Sequence, residues 1–187
     1  MEPEDLDPPD PRVRILKWVI AVLLAVGFGA CIAEGANEPA DPKLVESRIA
    51  GFGEVGFSIT PAPGLTAMTP AEQCALLAAT EEQRAQGLMR VTDLEGYPGM
   101  IFRYSVDSSG GYYMRNTPMP LSIAWFAADG SFVSSADMEP CGDRTDCPIY
   151  SATGPYRYAL EVPQGQLPSL GVGPGAVLKL NGACPST

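Results

Sequence analysis

Leu121-Ser122-Ile123-Ala124-Trp125-Phe126-Ala127-Ala128-Asp129-Gly130-Ser131-Phe132-Val133-Ser134-Ser135-Ala136-Asp137-Met138 reads as two strands and the turn between them. Leu121 to Ala127 is a short apolar run carrying a β-branched residue and two aromatics, the composition of a strand buried on both faces. Asp129-Gly130 is a hairpin signal, because such turns need positive φ and glycine reaches it without steric cost. Ser131 to Met138 is the returning strand.

Upstream, Gly111 to Pro120 is the densest polar and aromatic stretch of the chain. Pro118 and Pro120 exclude a helix and cannot donate to a central ladder, so an extended Tyr112–Arg115 piece should cross a sheet edge. Asp107 to Gly111 and Tyr97-Pro98-Gly99 are turns, with a strand from Met100 to Tyr104 between them. Thr80-Glu81-Glu82-Gln83 has capping-box spacing, which predicts a short helix from Thr80 to Gly87. Cys74 to Ala79 suits a buried strand. Downstream, Pro140 to Gly154 is a long loop. Tyr156 to Val162 alternates Tyr, Tyr, Leu and Val against Arg, Ala and Glu, as a half-buried strand would. Gln164 to Leu170 is a helical turn closed by Gly171. Pro174-Gly175 leads to a last strand, Ala176 to Leu180. Six or seven short strands with little helix predict a mainly β fold: a single compact β-sandwich or barrel-like domain with one or two short helices.

The composition agrees. Of 187 residues, 20 are Gly and 19 Pro, while only 18% are charged. The formal net charge of -10 opposes binding to nucleic acid or anionic lipid surfaces. There is no histidine. That excludes Ser-His-Asp and Cys-His catalysis and His-ligated zinc.

The first 33 residues read as an acidic, proline-rich tail and a leader. Arg12, Arg14 and Lys17 precede an apolar run from Trp18 to Ala30, the layout of a signal peptide. Small residues before Cys31 resemble a bacterial lipobox, in which Cys31 is lipidated; the alternatives are an uncleaved membrane anchor through residues 15–33, or plain secretion. In all three the basic flank stays inside and the rest lies outside. Residues 34–70, rich in Gly, Pro, Ala and acids, read as a flexible linker, with one short strand near Gly56 to Ile59, and 71–184 as the β domain. Setting Cys31 aside leaves Cys74, Cys141, Cys147 and Cys184, an even set in an oxidising compartment. Of three pairings, Cys141–Cys147 with Cys74–Cys184 is favoured: one closes a loop rich in turn residues, the other ties the domain's start to its end. Metal-type Cys-x-x-Cys spacing is lacking, so no metal or other cofactor is expected.

Arg84-Ala-Gln-Gly87-Leu88-Met89-Arg90, Gly99-Met100-Ile-Phe102 and Tyr113-Met114-Arg115-Asn116-Thr117-Pro118-Met119-Pro120-Leu121 follow one another in order. So do Pro140-Cys141, Cys147-Pro148-Ile-Tyr150, Tyr158-Ala-Leu160-Glu161-Val162-Pro-Gln-Gly165 and Leu170-Gly171-Val-Gly173-Pro-Gly175. Together these blocks resemble the domain of unknown function 192 family over roughly Cys74 to Leu180. The resemblance implies a compact, mainly β domain, commonly exported behind a signal or lipoprotein leader, with no settled activity. One departure stands out: the family usually carries Asp where this chain has Ser122.

Five residues are candidates for a ligand site. Arg115 can clamp a carboxylate or phosphate in two-point fashion, against an internal ion pair with Glu161 or Asp137. Asn116 can face a ligand or cap its own turn. Tyr113 and Trp125 can stack on a ring or belong to the core. Glu161, if buried with a raised pKa, is an acid-type group; otherwise it pairs with Arg115 or Arg84. The acidic cluster Asp137, Glu139, Asp143 and Asp146 reads as a solvated loop. No nucleophile and base adjoin each other. The expectation is an exported, membrane-tethered β domain of the cell envelope that binds a small ligand or a partner protein without catalysing a reaction. The alternative is a carboxylate-based hydrolase or transferase acting on envelope polymers, which needs two carboxylates facing one cleft.

Overall fold

The computed structural model describes residues 47–67 and 72–185. The leader over 1–33, Cys31 included, and residues 34–46 of the expected linker lie outside the described residues. Among those described, no helix is long and apolar enough to cross a membrane.

Seven strands form one sheet: β1 (Gly53–Thr60), β2 (Gln73–Ala78), β3 (Met100–Ser108), β4 (Leu121–Phe126), β5 (Phe132–Met138), β6 (Tyr156–Pro163) and β7 (Val177–Gly182). Their order is β5-β4-β6-β3-β2-β1-β7. All pairs are antiparallel except β2 with β3. One short helix, α1 (Glu81–Gln86), makes that crossover, and a single 3-10 turn covers Pro168–Leu170.

Of the two expected arrangements, the sandwich is not formed; a single sheet curls into a half-barrel, nearer to the barrel-like expectation. Its two outer strands approach at one corner, where Phe132 N–H donates to Ala176 O at 3.0 Å and Leu178 N–H to Gly130 O at 2.8 Å. Each face has its own core, set by the two-residue period of the strands. Leu76, Met100, Phe102, Ile123, Trp125 and Ala159 pack on the first face. Leu77, Ile101, Ala124, Phe126, Leu160 and Val162 pack on the second. Because β4 is paired on both edges and covered on both faces, all six of its residues are buried, Ser122 among them, as its largely apolar run predicts.

Residues 34–70 are not linker throughout. β1 falls within them and lies between β2 and β7, with Phe57 fully buried. Two glycines disguised it. Gly56 reads as flexibility, but a Cβ there would sit 2.3 Å from the Ala183 carbonyl oxygen, so the residue is small because backbone passes close.

Cys74 and Cys184 are joined, with Cα atoms 5.0 Å apart, as are Cys141 and Cys147 at 5.8 Å. The first bond braces β2 to the chain leaving β7 across β1, since Gly56 pairs with both Cys74 and Gly182. The second closes the loop between β5 and β6.

Candidate functional site: a pocket over Glu161

α1 exists because its first turn is capped twice over. Gln83 N–H donates to the Thr80 hydroxyl at 3.2 Å, and the Gln83 side-chain oxygen accepts from Thr80 N–H at 3.1 Å. The helix ends at Gly87, at φ 48, beneath which the Phe102 ring lies so close that a Cβ would stand 3.3 Å from its Cζ. None of the residues of α1 is buried. The helix is held by its polar groups: Gln83 Nε2 donates to Gly51 O at 2.9 Å, and Arg84 donates to the carbonyls of Ala79 and Arg103 while lying 4.7 Å from the Tyr104 ring centre.

Opposite α1, the extended segment around Tyr112 runs beside Tyr150, exchanging two backbone hydrogen bonds of 2.8 Å with it. Extended geometry alternates its side chains. Tyr112 and Met114 point in and are buried, while Tyr113 stays 45% exposed. Between this segment and α1 lies a pocket of about 410 Å³, lined by Phe102 and Tyr104 of β3 and by Glu161 of β6.

The placement of Glu161 follows from alternation. Leu160 and Val162 belong to the second face, so Glu161 faces the first, between Met100 of β3 and Ile123 of β4. It is 5% exposed. Among the described residues nothing hydrogen-bonds or ion-pairs with its carboxyl. Burial alone pushes its pKa up to about 8. Burial likewise drives the Tyr112 hydroxyl well above its ordinary value, with Tyr104 beside it adding to the effect, and lifts Tyr156 to about 12. Tyr104 and Tyr112 share a 3.0 Å hydrogen bond, and Tyr156 donates to Gly110 O at 2.8 Å. The site thus combines neutral phenols, an aromatic wall and one carboxyl without a partner.

The five sequence candidates do not converge. Tyr113 and Glu161 line this pocket. Trp125 is fully buried, 6.1 Å from the Tyr112 ring centre and 6.4 Å from that of Tyr156, so it supports the pocket from the core and offers no face to a ligand. Its indole N–H is the one fully buried side-chain polar atom without a partner among the described residues. Arg115 pairs with neither Glu161 nor Asp137 but with Asp143, at 2.7 Å from Nη2. Asn116 donates to the same Asp143 oxygen at 3.2 Å from a left-handed φ of 56. Asn116 lines a second hollow, of about 370 Å³, together with Arg90, Pro118 and Pro140. Arg90 is also left-handed, at φ 63, and its N–H donates to Asn116 O at 2.8 Å.

The acidic cluster is spent on local partners. Asp143 takes Arg115, Asp146 takes Arg144 at 2.9 Å, and Glu139 accepts from Gln164 at 2.8 Å. Asp137 accepts from the Ser122 hydroxyl, which itself accepts from Gly165 N–H at 2.9 Å. Ser122 therefore ties the start of β4 to β5 and to the chain beyond β6. With 41% of the Arg115 side chain and 70% of that of Asp143 exposed, their pairing is largely screened. Arg115→Ala is expected to cost less than about 1 kcal/mol in urea unfolding. A loss of several kcal/mol would show that Arg115 holds the fold.

Sequence reading missed Tyr104, Tyr112 and the α1 wall. The signal was present for Tyr112: two-residue alternation through Tyr112-Tyr113-Met114-Arg115 separates inward from outward positions. The same alternation marked Tyr104, which closes the strand expected from Met100 and shares the face of Met100 and Phe102.

Comparison with known proteins bears on the family and the fold. The profile of the family named domain of unknown function 192, described as Uncharacterized ACR, matches residues 66–180. Among solved structures, a Sinorhizobium meliloti protein provisionally described as a transcription regulator is 26% identical, with a TM-score of 0.60, over 72% of this chain and 99% of its own. A Novosphingobium aromaticivorans protein of unknown function is also 26% identical, with a TM-score of 0.60, over 74% of this chain and 93% of its own. No curated protein matches.

Proposed function

We propose that this chain, which belongs to the domain of unknown function 192 family, is a membrane-tethered, extracytoplasmic binding module whose pocket over Glu161 holds a small ligand. One observation carries the reading: a carboxyl only 5% exposed, at the wall of a pocket of about 410 Å³, has no partner among the described residues. Such a group costs stability until something bonds to it, and a ligand is the partner left. The volume suits a small organic molecule. The basic-then-apolar leader and the paired cysteines support the outside location. A net charge of -10 speaks against carrying over the regulator description of the Sinorhizobium meliloti protein as DNA binding.

One observation favours a second reading. Glu81 of α1 lines the same pocket, so two carboxyls face one cleft, the arrangement a carboxylate-based hydrolase or transferase on envelope polymers would need.

Native mass spectrometry of the protein purified from its own cells tests the binding reading. A small-molecule adduct is expected, and Ala85→Trp should remove it, because Ala85 is exposed on α1 and lines the pocket mouth. An adduct that persists in Ala85→Trp, or none in either protein, would overturn it.

A further inference from the structure

We propose that the pocket selects a small organic cation, a primary or secondary amine with an apolar flank, whose N–H donates to the Glu161 carboxylate. This deepens the binding reading above and rests on it.

The walls fit such a ligand. Phe102, Tyr104 and Tyr112 surround the space, with Phe102 and Tyr112 in an edge-to-face contact of 5.2 Å. Aromatic faces are negative and attract ammonium groups. Among the described residues no cation pairs with Glu161. Arg84 spends Nη1 on the Ala79 and Arg103 carbonyls and lies over Tyr104; Arg115 is held by Asp143. An anion would meet both Glu161 and Glu81. A metal ion would find only the Glu161 and Glu81 carboxyls, fewer oxygens than a coordination shell takes. The net charge of -10 also concentrates cations near the surface.

The proton balance gives the idea a signature. The titratable and charged groups that line the pocket with Glu161 are Tyr112 and Tyr113 from the crossing segment, Tyr104 from β3, and Arg84 and Glu81 from α1; Met100 and Ile123 beside it are apolar. Free Glu161 is mostly protonated at pH 6. An ammonium ligand binds the ionised form, so Glu161 releases a proton to solvent as the amine binds. Affinity should then climb about tenfold per pH unit up to roughly pH 8 and level off. The Tyr112 and Tyr156 phenols, with raised pKa values, stay protonated through this range.

Titration calorimetry of the full-length chain with benzylamine, benzyl alcohol, benzamide and benzoate, at pH 6 and pH 8 and in two buffers of different ionisation enthalpy, tests this. Benzylamine is expected to bind best, more tightly at pH 8, with close to one proton released at pH 6. Glu161→Gln should lose at least tenfold in affinity and the pH dependence, and Ala85→Trp should abolish binding. If benzamide or benzyl alcohol binds better than benzylamine, and Ala85→Trp blocks it, the pocket stands and the cation assignment falls. If benzylamine binding releases no proton at pH 6, the assignment to Glu161 falls. If none of the four binds, the cation assignment falls, and a persisting adduct-free mass spectrum then removes the binding reading with it.

Discussion

Replacing Cys74 and Cys184 together by alanine is expected to lower the unfolding free energy by about 5 kcal/mol, against about 2 kcal/mol for the Cys141 and Cys147 pair. The difference follows from loop length, 110 residues against 6. A cross-link restricts the unfolded chain more when it closes a longer loop. The native structure sharpens the contrast. The long link sits where β7, an outer strand, leaves the sheet, and it reaches over β1 to β2. Without it, the β7 end of the sheet relies on its backbone ladder, the core contacts of Leu178 and Leu180, the Asn181 hydrogen bonds to Ser58 and Glu72, and the corner contact with the start of β5. Urea unfolding of the two double variants measures the effect, and hydrogen exchange should locate the extra opening in β7 and β1. Equal losses from both pairs would show that chain restriction is not what these bonds supply.

Glu161→Gln is expected to stabilise the domain above pH 8 by on the order of 5 kcal/mol and to change little near pH 4. The folded-state pKa is raised from 4.5 to about 8, because burial penalises the charged form, which has no partner among the described residues. The sign follows. Below pH 4.5 the carboxyl is protonated in both folded and unfolded chains, and stability is at its full value. As pH climbs toward 8 the unfolded chain releases the proton first, so folding is progressively disfavoured. Gln has no proton to lose and keeps nearly the same shape, so its stability curve lacks this slope. Urea unfolding of both proteins from pH 4 to pH 9 gives the comparison, and other titrating groups cancel in the difference. Parallel curves would mean that water or some other partner reaches the carboxyl.

Much of the sheet was legible because its signals were local. The largely apolar run of β4, the Asp129-Gly130 turn and the capping box of α1 each act within a few residues, and no distant contact overrides them. β1 was harder, since its period-two pattern of Val55, Phe57 and Ile59 is interleaved with glycines whose reason is a neighbouring backbone. A sandwich and a curled single sheet also share the same strands and turns. What separates them is which strands pair, and that is a long-range property of the chain. The site was half visible. Glu161 and Tyr113 were picked out for their chemistry. Their meeting with Tyr104, Tyr112 and α1 depends on β6 pairing with β3, about 60 residues earlier in the chain. Trp125 stayed open between a ligand face and the core, because nothing in its own strand says which residues cover it from above.

The most direct measurement is a carbon-13 NMR titration of the glutamate side-chain carboxyls, with Glu161→Gln assigning the resonance. A Glu161 midpoint near pH 8 is expected for a dry, partnerless carboxyl at the pocket wall. A midpoint near 4.5 would mean a hydrated or paired group, leaving the pocket without the unsatisfied acceptor on which its binding role depends.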